Sequence, residues 1–247
     1  MFIFVFTGGN APEPFVCEKF FSDLFAVEKV EKPFVIAADS GLRTLEAFNR
    51  FFTSIDFSPE LILGDWDSLG DNKLLEKYPK KIIQNHIVDK DFTDTELALD
   101  EAKKYISKNA DDVHKIILVG AGGGERIDHL IAVFDLFSTD LRPDVWLSGN
   151  QFLYFLGERS CAELYDVALD DMVSVLRTSA CRTGGRIKSE GLLWESGLFR
   201  KEGLPSISNR ISPDCFRAGR PVALTVESGS FVLAAPHSAR VVVKNLP

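Results

Sequence analysis

The sequence predicts an α/β protein with an N-terminal domain on a mainly parallel sheet, residues 1–150, and a smaller C-terminal all-β sandwich domain, residues 151–247. Three observations support this prediction. The chain of 247 residues is long enough for two ordinary domains, short apolar runs alternate with helix-like segments in its first part, and β-rich runs without a helical period follow. Continuously apolar strands that alternate with helices are typical of a parallel sheet covered on both faces.

The N-terminal domain begins with MFIFVF, which is short, lacks a basic leader and runs directly into TGGN. This stretch indicates a first strand and not a signal peptide. Five further β-rich runs follow, with helix-like segments between most of them. The predicted strands cover residues 2–6, 34–38, 60–63, 81–84, 115–119 and 144–148. The predicted helices cover residues 13–27, 42–51, 94–107 and 128–137.

The C-terminal domain holds short β-rich runs separated by Gly, Ser, Pro and Asn. This spacing is typical of a sandwich of short strands. The predicted strands cover residues 152–157, 162–167, 172–179, 222–228, 230–235 and 240–245.

The composition indicates a globular protein, because 45% hydrophobic residues can form a sizeable core. The net charge of −8 argues against binding to nucleic acid or to an anionic membrane, since both need a dense basic surface. No apolar run approaches the roughly 20 residues of a membrane span. The four scattered cysteines favour buried free thiols over disulfides or zinc ligands. We therefore expect a soluble cytoplasmic protein, in which a cation would help to bind any anionic substrate.

Four clusters that contain acidic residues follow predicted strands, at the sheet edge where open parallel sheets bind ligands. AADSG places Asp39 and Ser40 after the second strand, although an N-cap and a turn would also explain this string. GDWDS places Asp65 and Asp67 after the third strand. Two acids at i and i+2 in a loop can point at one cation, and a solvated acidic turn is the alternative.

The segment VDKDFTDTELALDEA predicts the start of a helix. Thr93 and Glu96 form a capping box, so that Asp94 falls in the first helical turn. The loop carries more charge than a helix start needs, namely on Asp89, Lys90, Asp91 and Asp94.

The segment VGAGGGERIDHL places a glycine-rich run between a strand and a helix that begins near Asp128. Glycines let backbone amides approach a phosphate, and Arg126 offers a fork of donors for its oxygens. The run is neither a Walker P-loop nor a dinucleotide fingerprint. His129 alone is more often a capping or packing residue than a ligand.

Together, the four motifs place acids and one arginine at successive strand exits of one sheet. Oxygen ligands without Cys or paired His indicate Mg²⁺ and not zinc. We therefore expect Asp65 and Asp67 to hold magnesium, and the magnesium to hold a nucleotide.

The order ADSG, GDWDS, DKDFTD and GGERIDH resembles that of the thiamine pyrophosphokinase family. In the β half, SEGLLWES (189–196) and SISN (206–209) look like the thiamine-binding segments of that family. The resemblance spans nearly the whole chain. It implies an α/β domain with a β-sandwich domain, a homodimer with sites at the subunit interface, and pyrophosphoryl transfer from ATP to the hydroxyl of thiamine, giving thiamine diphosphate and AMP.

The resemblance also implies roles for residues that match its motifs. Mg²⁺ would be bound by Asp65, Asp67 and Asp94. Arg126 and Asp128 would lie beside the phosphates, and either Asp94 or Asp128 could accept the hydroxyl proton. The ATP cleft would be lined by Asp39, Ser40, Asp89, Lys90, Asp91, Arg126 and His129. Thiamine, a flat cation, would be held by Trp194, Ser208 and Asn209.

Three positions depart from the family pattern. The usual double glycine after the Ala-Asp pair appears here as Ser40-Gly41, Glu125 replaces the glycine before the arginine, and Arg210 follows the Ser-Asn pair where an acidic or neutral residue is more usual. None of these departures removes a proposed metal ligand.

Two other functions stay open at this point. The first is a pyrophosphokinase for another small alcohol, such as a pterin, because the metal and ATP motifs define the donor better than the acceptor. The GLLW and SISN segments argue against it. The second is a nucleotide- or thiamine-binding regulator without turnover, against which the presence of Asp65, Asp67, Asp94 and Arg126 argues.

Overall fold

The computed structural model describes residues 1–27, 32–66, 69–70, 72–86, 91–110, 114–123, 126–181, 184–195 and 207–246. The chain divides into two compact units. The first comprises Met1–Phe15 and Phe25–Gly149, and the second comprises Val16–Leu24 and Asn150–Pro247. The short segment Val16–Leu24 joins the second unit because Phe20 packs edge-on against Phe152, with 5.6 Å between the ring centroids.

The first unit is built on parallel strands, which confirms the predicted α/β class. The strands are β1 (Phe2–Gly9), β2 (Phe34–Ala38), β3 (Leu61–Gly64), β4 (Ile83–Asn85), β5 (Lys115–Ala121) and β6 (Val145–Ser148). They lie in the order β4-β3-β2-β1-β5-β6, and every neighbouring pair is parallel. All the strands predicted for this half of the chain are confirmed, with ends that differ by a few residues.

The predicted helices of this half are also confirmed. They are α1 (Glu18–Val27), α2 (Gly41–Phe51), α3 (Asp94–Lys108) and α4 (Ile127–Asp135). The first is shorter than predicted, because Pro14–Cys17 forms a 3-10 turn before it. Further 3-10 turns cover Asn72–Lys77, Lys80–Ile82 and Leu136–Ser138. Among the described residues, no helix has the length and apolar character needed to cross a membrane.

Aromatic side chains form the core of the first unit around β1. Phe4, Phe6, Phe48 and Phe57 are wholly buried. The rings of Phe4 and Phe57 and those of Phe6 and Phe48 meet edge to face, each pair with centroids 5.3 Å apart. Burial of one such side chain is worth about 1.5–3 kcal/mol. The central strand is therefore firmly packed.

The strand order reverses between β1 and β5, the position at which open parallel sheets usually bind ligands. Glycines allow these two strand ends to approach closely. A Cβ atom on Gly120 would lie 2.4 Å from the carbonyl oxygen of Thr7, and one on Gly9 would lie 2.4 Å from that of Gly122. Since neither position has space for a side chain, the edge of the sheet is lined by main chain here.

The second unit consists mainly of antiparallel strands, which confirms the predicted all-β character of this part. The strands are β7 (Gln151–Leu156), β8 (Ser160–Tyr165), β9 (Ser174–Arg177), β10 (Arg186–Glu190), β11 (Val222–Ser228), β12 (Phe231–Pro236) and β13 (Arg240–Asn245). Strand β12 pairs with β7 and β9. A four-stranded antiparallel sheet has the order β10-β11-β8-β13.

Among the described residues of the second unit, strand β10 and helix α5 were not predicted. Strand β10 has the polar sequence RIKSE, in which only Ile187 is buried, so it carries little apolar signal. Helix α5 (Pro213–Arg217) is too short to show a helical period. Its start follows an ordinary rule, because the Ser212 hydroxyl accepts from the backbone N–H of Cys215 and proline occupies the first turn.

The four cysteines are free thiols. Cys17, Cys181 and Cys215 are buried, and Cys161 is half-buried. Burial raises the pKa of the Cys17 thiol to about 12, so this group stays protonated and unreactive at neutral pH.

Candidate functional site

Three carboxylates meet at the carboxyl edge of the parallel sheet. Asp39 follows β2, Asp65 follows β3, and Asp94 is the first residue of α3. One carboxylate oxygen of each lies within 4.8 Å of the others. Within the described part of the chain, this is the one group of three or more acidic, His or Cys side chains close enough to share an ion. We call it the carboxylate group.

The carboxylate group differs in one member from the predicted metal ligands. It contains Asp65 and Asp94 as predicted, and it adds Asp39, which the sequence assigned to the nucleotide cleft. The third predicted ligand, Asp67, lies outside the described residues.

The geometry of adjacent strands brings Asp39 and Asp65 together. The backbone N–H of Asp39 donates to the carbonyl of Leu63, at 2.8 Å, and thereby extends the β2–β3 pairing beyond β2. Gly64 has a φ of +150°, and a Cβ atom there would lie 3.2 Å from the Cα and Cβ of Asp39. A residue with a side chain at position 64 would therefore crowd Asp39 and strain the backbone.

Two residues with side chains adopt left-handed backbone conformations at these turns. Asp39 has a φ of 49° and Trp66 has a φ of 69°. Asp enters this region more readily than most residues, whereas a bulky residue such as Trp does so rarely. Because such strain of about 1–3 kcal/mol persists only where the surroundings fix it, it tends to accumulate at functional sites.

The capping box at the start of α3 holds Asp94. The Thr93 hydroxyl accepts from the backbone N–H of Glu96 at 3.2 Å, and the Glu96 carboxylate accepts from the backbone N–H of Thr93 at 2.8 Å. This confirms the predicted capping box. The helix start is thus fixed, and Asp94 is presented from its first turn.

The electrostatics of the carboxylate group favour a bound cation. Two unit charges about 4 Å apart repel by about 1 kcal/mol in water and by about 4 kcal/mol at an effective dielectric constant of 20. Three converging carboxylates offer only oxygen ligands, which suit a hard divalent ion such as Mg²⁺ and not zinc.

Arg126 and Asp128 form an ion pair at the start of α4. Nε of Arg126 donates to Oδ1 of Asp128 at 3.0 Å, and Nη2 donates to Oδ2 at 2.6 Å. The bonds from Arg126 hold the pKa of Asp128 at about 2, so this exposed carboxylate is a weak base. The guanidinium has five N–H donors, so others remain for a phosphate.

The remaining predicted nucleotide residues occupy different positions. Ser40 is half-buried, and its hydroxyl lies close to Gly8 at the end of β1, where an added Cβ atom would be 2.2 Å from Oγ. Asp91 and His129 are exposed, and neither belongs to the carboxylate group. Asp89, Lys90 and Glu125 lie outside the described residues.

The predicted thiamine residues lie in the second unit. Trp194 is 37% exposed, whereas Asn209 is wholly buried. The side-chain amide of Asn209 bonds to the main chain of Trp194 in both directions. Ser208 is exposed and has a φ of 57°, a strained conformation for a residue with a side chain.

Sequence reasoning missed two contributors near these sites. Arg43 on α2 donates to the carbonyl of Leu69, and so anchors the turn that follows the acidic GDWDS segment. Glu195 fixes the turn that carries Trp194. Nothing in the sequence indicates the contacts of Arg43 or Glu195.

Comparison with known proteins gives one family and several similar folds. Residues 27–145, which contain the carboxylate group and Arg126, match the family described as thiamin pyrophosphokinase, catalytic domain. No significant match was found among curated proteins.

Three solved structures are similar to almost the whole chain. Thiamine pyrophosphokinase from Bacillus subtilis has a TM-score of 0.62 at 17% identity, with 96% of this chain and 99% of that one covered. A thiamin pyrophosphokinase family protein from Enterococcus faecalis has a TM-score of 0.60 at 18% identity, with 95% and 98% covered. Thiamin pyrophosphokinase from Candida albicans has a TM-score of 0.59 at 15% identity, with 95% and 88% covered. At these identities, the likeness establishes the fold.

Proposed function

Residues 27–145 belong to the thiamin pyrophosphokinase catalytic-domain family, and from this premise we propose that the chain transfers a pyrophosphoryl group from ATP to the hydroxyl of thiamine, giving thiamine diphosphate and AMP. The observation that carries the proposal is the carboxylate group at the carboxyl edge of the sheet. An ATP-dependent enzyme also fits the cytoplasmic location expected from the sequence.

The donor side of the site is assigned to the first unit. Asp39, Asp65 and Asp94 would hold Mg²⁺, and Asp67 stays a further predicted ligand. The bound ion would neutralise charge on the triphosphate, which is the main requirement of phosphoryl-type transfer. The assignment of Mg²⁺ to this site rests on the types of ligand, because three carboxylates without Cys or His match the preference of Mg²⁺ for oxygen.

Arg126 is assigned to the phosphates. It stands at the start of α4, after a glycine-rich segment, and backbone N–H groups at a helix start also favour an anion. Its pairing with Asp128 makes that carboxylate a weak acceptor for the hydroxyl proton. We therefore assign Asp128 to orienting Arg126, which leaves Asp94 as the other carboxylate considered for proton uptake.

The acceptor side of the site is assigned to the second unit. A flat cation such as thiamine needs an exposed aromatic face and nearby polar groups. Trp194 offers a partly exposed ring, and Ser208 offers an exposed hydroxyl on a strained backbone.

The proposal includes a homodimer, as the family resemblance implies, in which each site combines the carboxylate group of one subunit with Trp194 of the other. An apolar face on α4 supports it. Ile127 is 71% exposed and Ile131 is 57% exposed on the helix that begins at Arg126. Exposed apolar patches of this kind commonly mark interaction surfaces.

The test is identification of the products by mass spectrometry after incubation with ATP, Mg²⁺ and thiamine. We expect AMP and thiamine diphosphate in equal amounts, and none of either when EDTA removes the metal. A hydroxymethyl pterin in place of thiamine is the matched acceptor control and should give no AMP. Formation of ADP and thiamine monophosphate would reject the proposed pyrophosphoryl transfer.

A further inference from the structure

The main chain of Trp194 is held by one buried side chain. Residues 191–193 run antiparallel to residues 210–212, with a backbone hydrogen bond of 2.8 Å from Leu193 N–H to the Arg210 carbonyl. At Trp194 the side-chain amide of Asn209, and not a backbone group, bonds to the main chain. Its Oδ1 accepts from the N–H of Trp194 at 3.2 Å, and its Nδ2 donates to the carbonyl of Trp194 at 2.7 Å.

Asn209 is itself fixed by pairing with Val173, the residue directly before β9. Its backbone N–H donates to the carbonyl of Val173 at 2.9 Å, and its carbonyl accepts from the N–H of Val173 at 2.8 Å. Its Oδ1 also accepts from the N–H of Arg210 at 2.9 Å. The residue has no solvent-exposed surface. A ligand in solution can therefore reach the partly exposed Trp194 but not the amide that holds it.

Glu195 holds the other side of Trp194. Its Oε2 accepts from the Ser189 hydroxyl at 2.5 Å, and its Oε1 accepts from the backbone N–H of Gly191 at 2.7 Å. Gly191 has a φ of +94°, and a Cβ atom there would lie 2.6 Å from Sγ of Cys215. The turn 191–195 is thus closed by its own last residue and packed against α5.

We propose that Asn209 and Glu195 are positioning residues for thiamine: they fix the main chain on both sides of Trp194 and so set the direction of its ring, and Asn209 does not touch the substrate. This inference rests on the proposed function. It gives Asn209 a different role from the direct thiamine contact that the sequence motif implied.

The amide is the only group of its size that can satisfy both main-chain groups of Trp194 at once. Asn209→Asp keeps the shape and the acceptor, but it replaces the donor to the Trp194 carbonyl by a second acceptor. Asn209→Ala removes both bonds. Each variant should let the ring of Trp194 leave its binding orientation.

The first measurement is steady-state kinetics. We expect Trp194→Ala and Asn209→Ala each to raise KM for thiamine by about tenfold, the size of a lost cation–π contact, and to leave KM for ATP unchanged. Glu195→Gln, which keeps the shape but only one acceptor oxygen, should give a smaller rise. The double variant Trp194→Ala/Asn209→Ala should be no worse for thiamine than Trp194→Ala alone, because residues that act through one contact are not additive.

The matched control is Ser212→Ala. Ser212 caps α5 beside the same turn, and its hydroxyl bonds to Cys215 and not to Trp194. This variant should lose a comparable amount of stability and keep the wild-type KM for thiamine. Effects of Trp194→Ala and Asn209→Ala that multiply in the double variant would overturn the proposal in favour of direct contact. An unchanged KM for thiamine in both Asn209 variants would overturn it as well, because Asn209 would then have no role in thiamine binding.

A second readout does not depend on activity. With 5-fluorotryptophan incorporated, the ¹⁹F signal of Trp194, assigned by its loss in Trp194→Phe, should shift or broaden in Asn209→Asp and Asn209→Ala but not in Ser212→Ala. An unchanged signal would overturn the proposal that Asn209 fixes the orientation of Trp194. A wild-type protein that does not turn over thiamine would reject the proposed function. The ¹⁹F signal would still report whether Asn209 fixes the orientation of Trp194.

Discussion

At the residue scale, the acids of the site are predictable individually but their grouping is not. Asp65 and Asp94 follow recognisable local signals, a strand exit and a capping box. Asp39 also follows a strand, but its place among the metal-binding candidates depends on the β2–β3 pairing and on Gly64, which bring distant segments together. The contact made by the buried amide of Asn209 is equally hard to predict from the sequence, because its partner Trp194 is 15 positions away along the chain.

The carboxylate group can be tested by removing one charge at a time. Asp39→Asn, Asp65→Asn and Asp94→Asn should each lower turnover by about 10²- to 10³-fold, the typical cost of one preorganised electrostatic contact. Each should also raise the Mg²⁺ concentration required for half-maximal rate. Asp100→Asn is the matched control, since Asp100 lies on α3 and pairs with Lys104 at 2.8 Å. Near-wild-type turnover of all three variants at saturating Mg²⁺ would contradict the metal role.

At the element scale, the parallel half of the fold follows from its sequence because each element carries its own signal. Strands β2 and β5 are continuous apolar runs, and α3 begins at a capping box. Neither β10 nor α5 was predicted, because neither shows a periodic apolar pattern. Strand β10 is placed by its pairing with β11, and α5 is placed by its buried residue Cys215. Local pattern thus fails where an element is held mainly by its neighbours.

The start of α3 links the stability of an element to the site, because the capping box precedes Asp94. Thr93→Ala removes the cap, which typically costs about 1 kcal/mol of stability. We expect a lower Tm and also a higher Mg²⁺ concentration for half-maximal rate, because the first turn that presents Asp94 frays. Ser212→Ala removes the cap of α5 and should lower Tm without changing the Mg²⁺ dependence. If Thr93→Ala lowers Tm yet leaves the Mg²⁺ requirement as in the wild type, the cap does not position Asp94.

At the scale of the whole molecule, the change from alternating elements to short β-runs predicts two kinds of architecture in one chain. The membership of Val16–Leu24 in the second unit is not visible in that pattern. It depends on contacts across the sequence, such as Phe20 with Phe152 and the ion pair of Lys19 with Asp166 at 2.9 Å. Such contacts leave no periodic trace in the segments that make them.

The assignment of donor and acceptor residues to different units makes the proposed dimer testable by complementation. Asp65→Asn disables the donor side, and the disruptive change Trp194→Asp disables the acceptor side, so each variant alone should be inactive. After subunit exchange, random pairing makes about half of the dimers mixed, and one site in each mixed dimer receives two intact halves. About a quarter of all sites should therefore recover activity. If every site were built within one chain, each would keep a lesion, so a mixture that stays inactive after mass spectrometry has verified exchange would contradict the shared site and leave the proposed reaction intact.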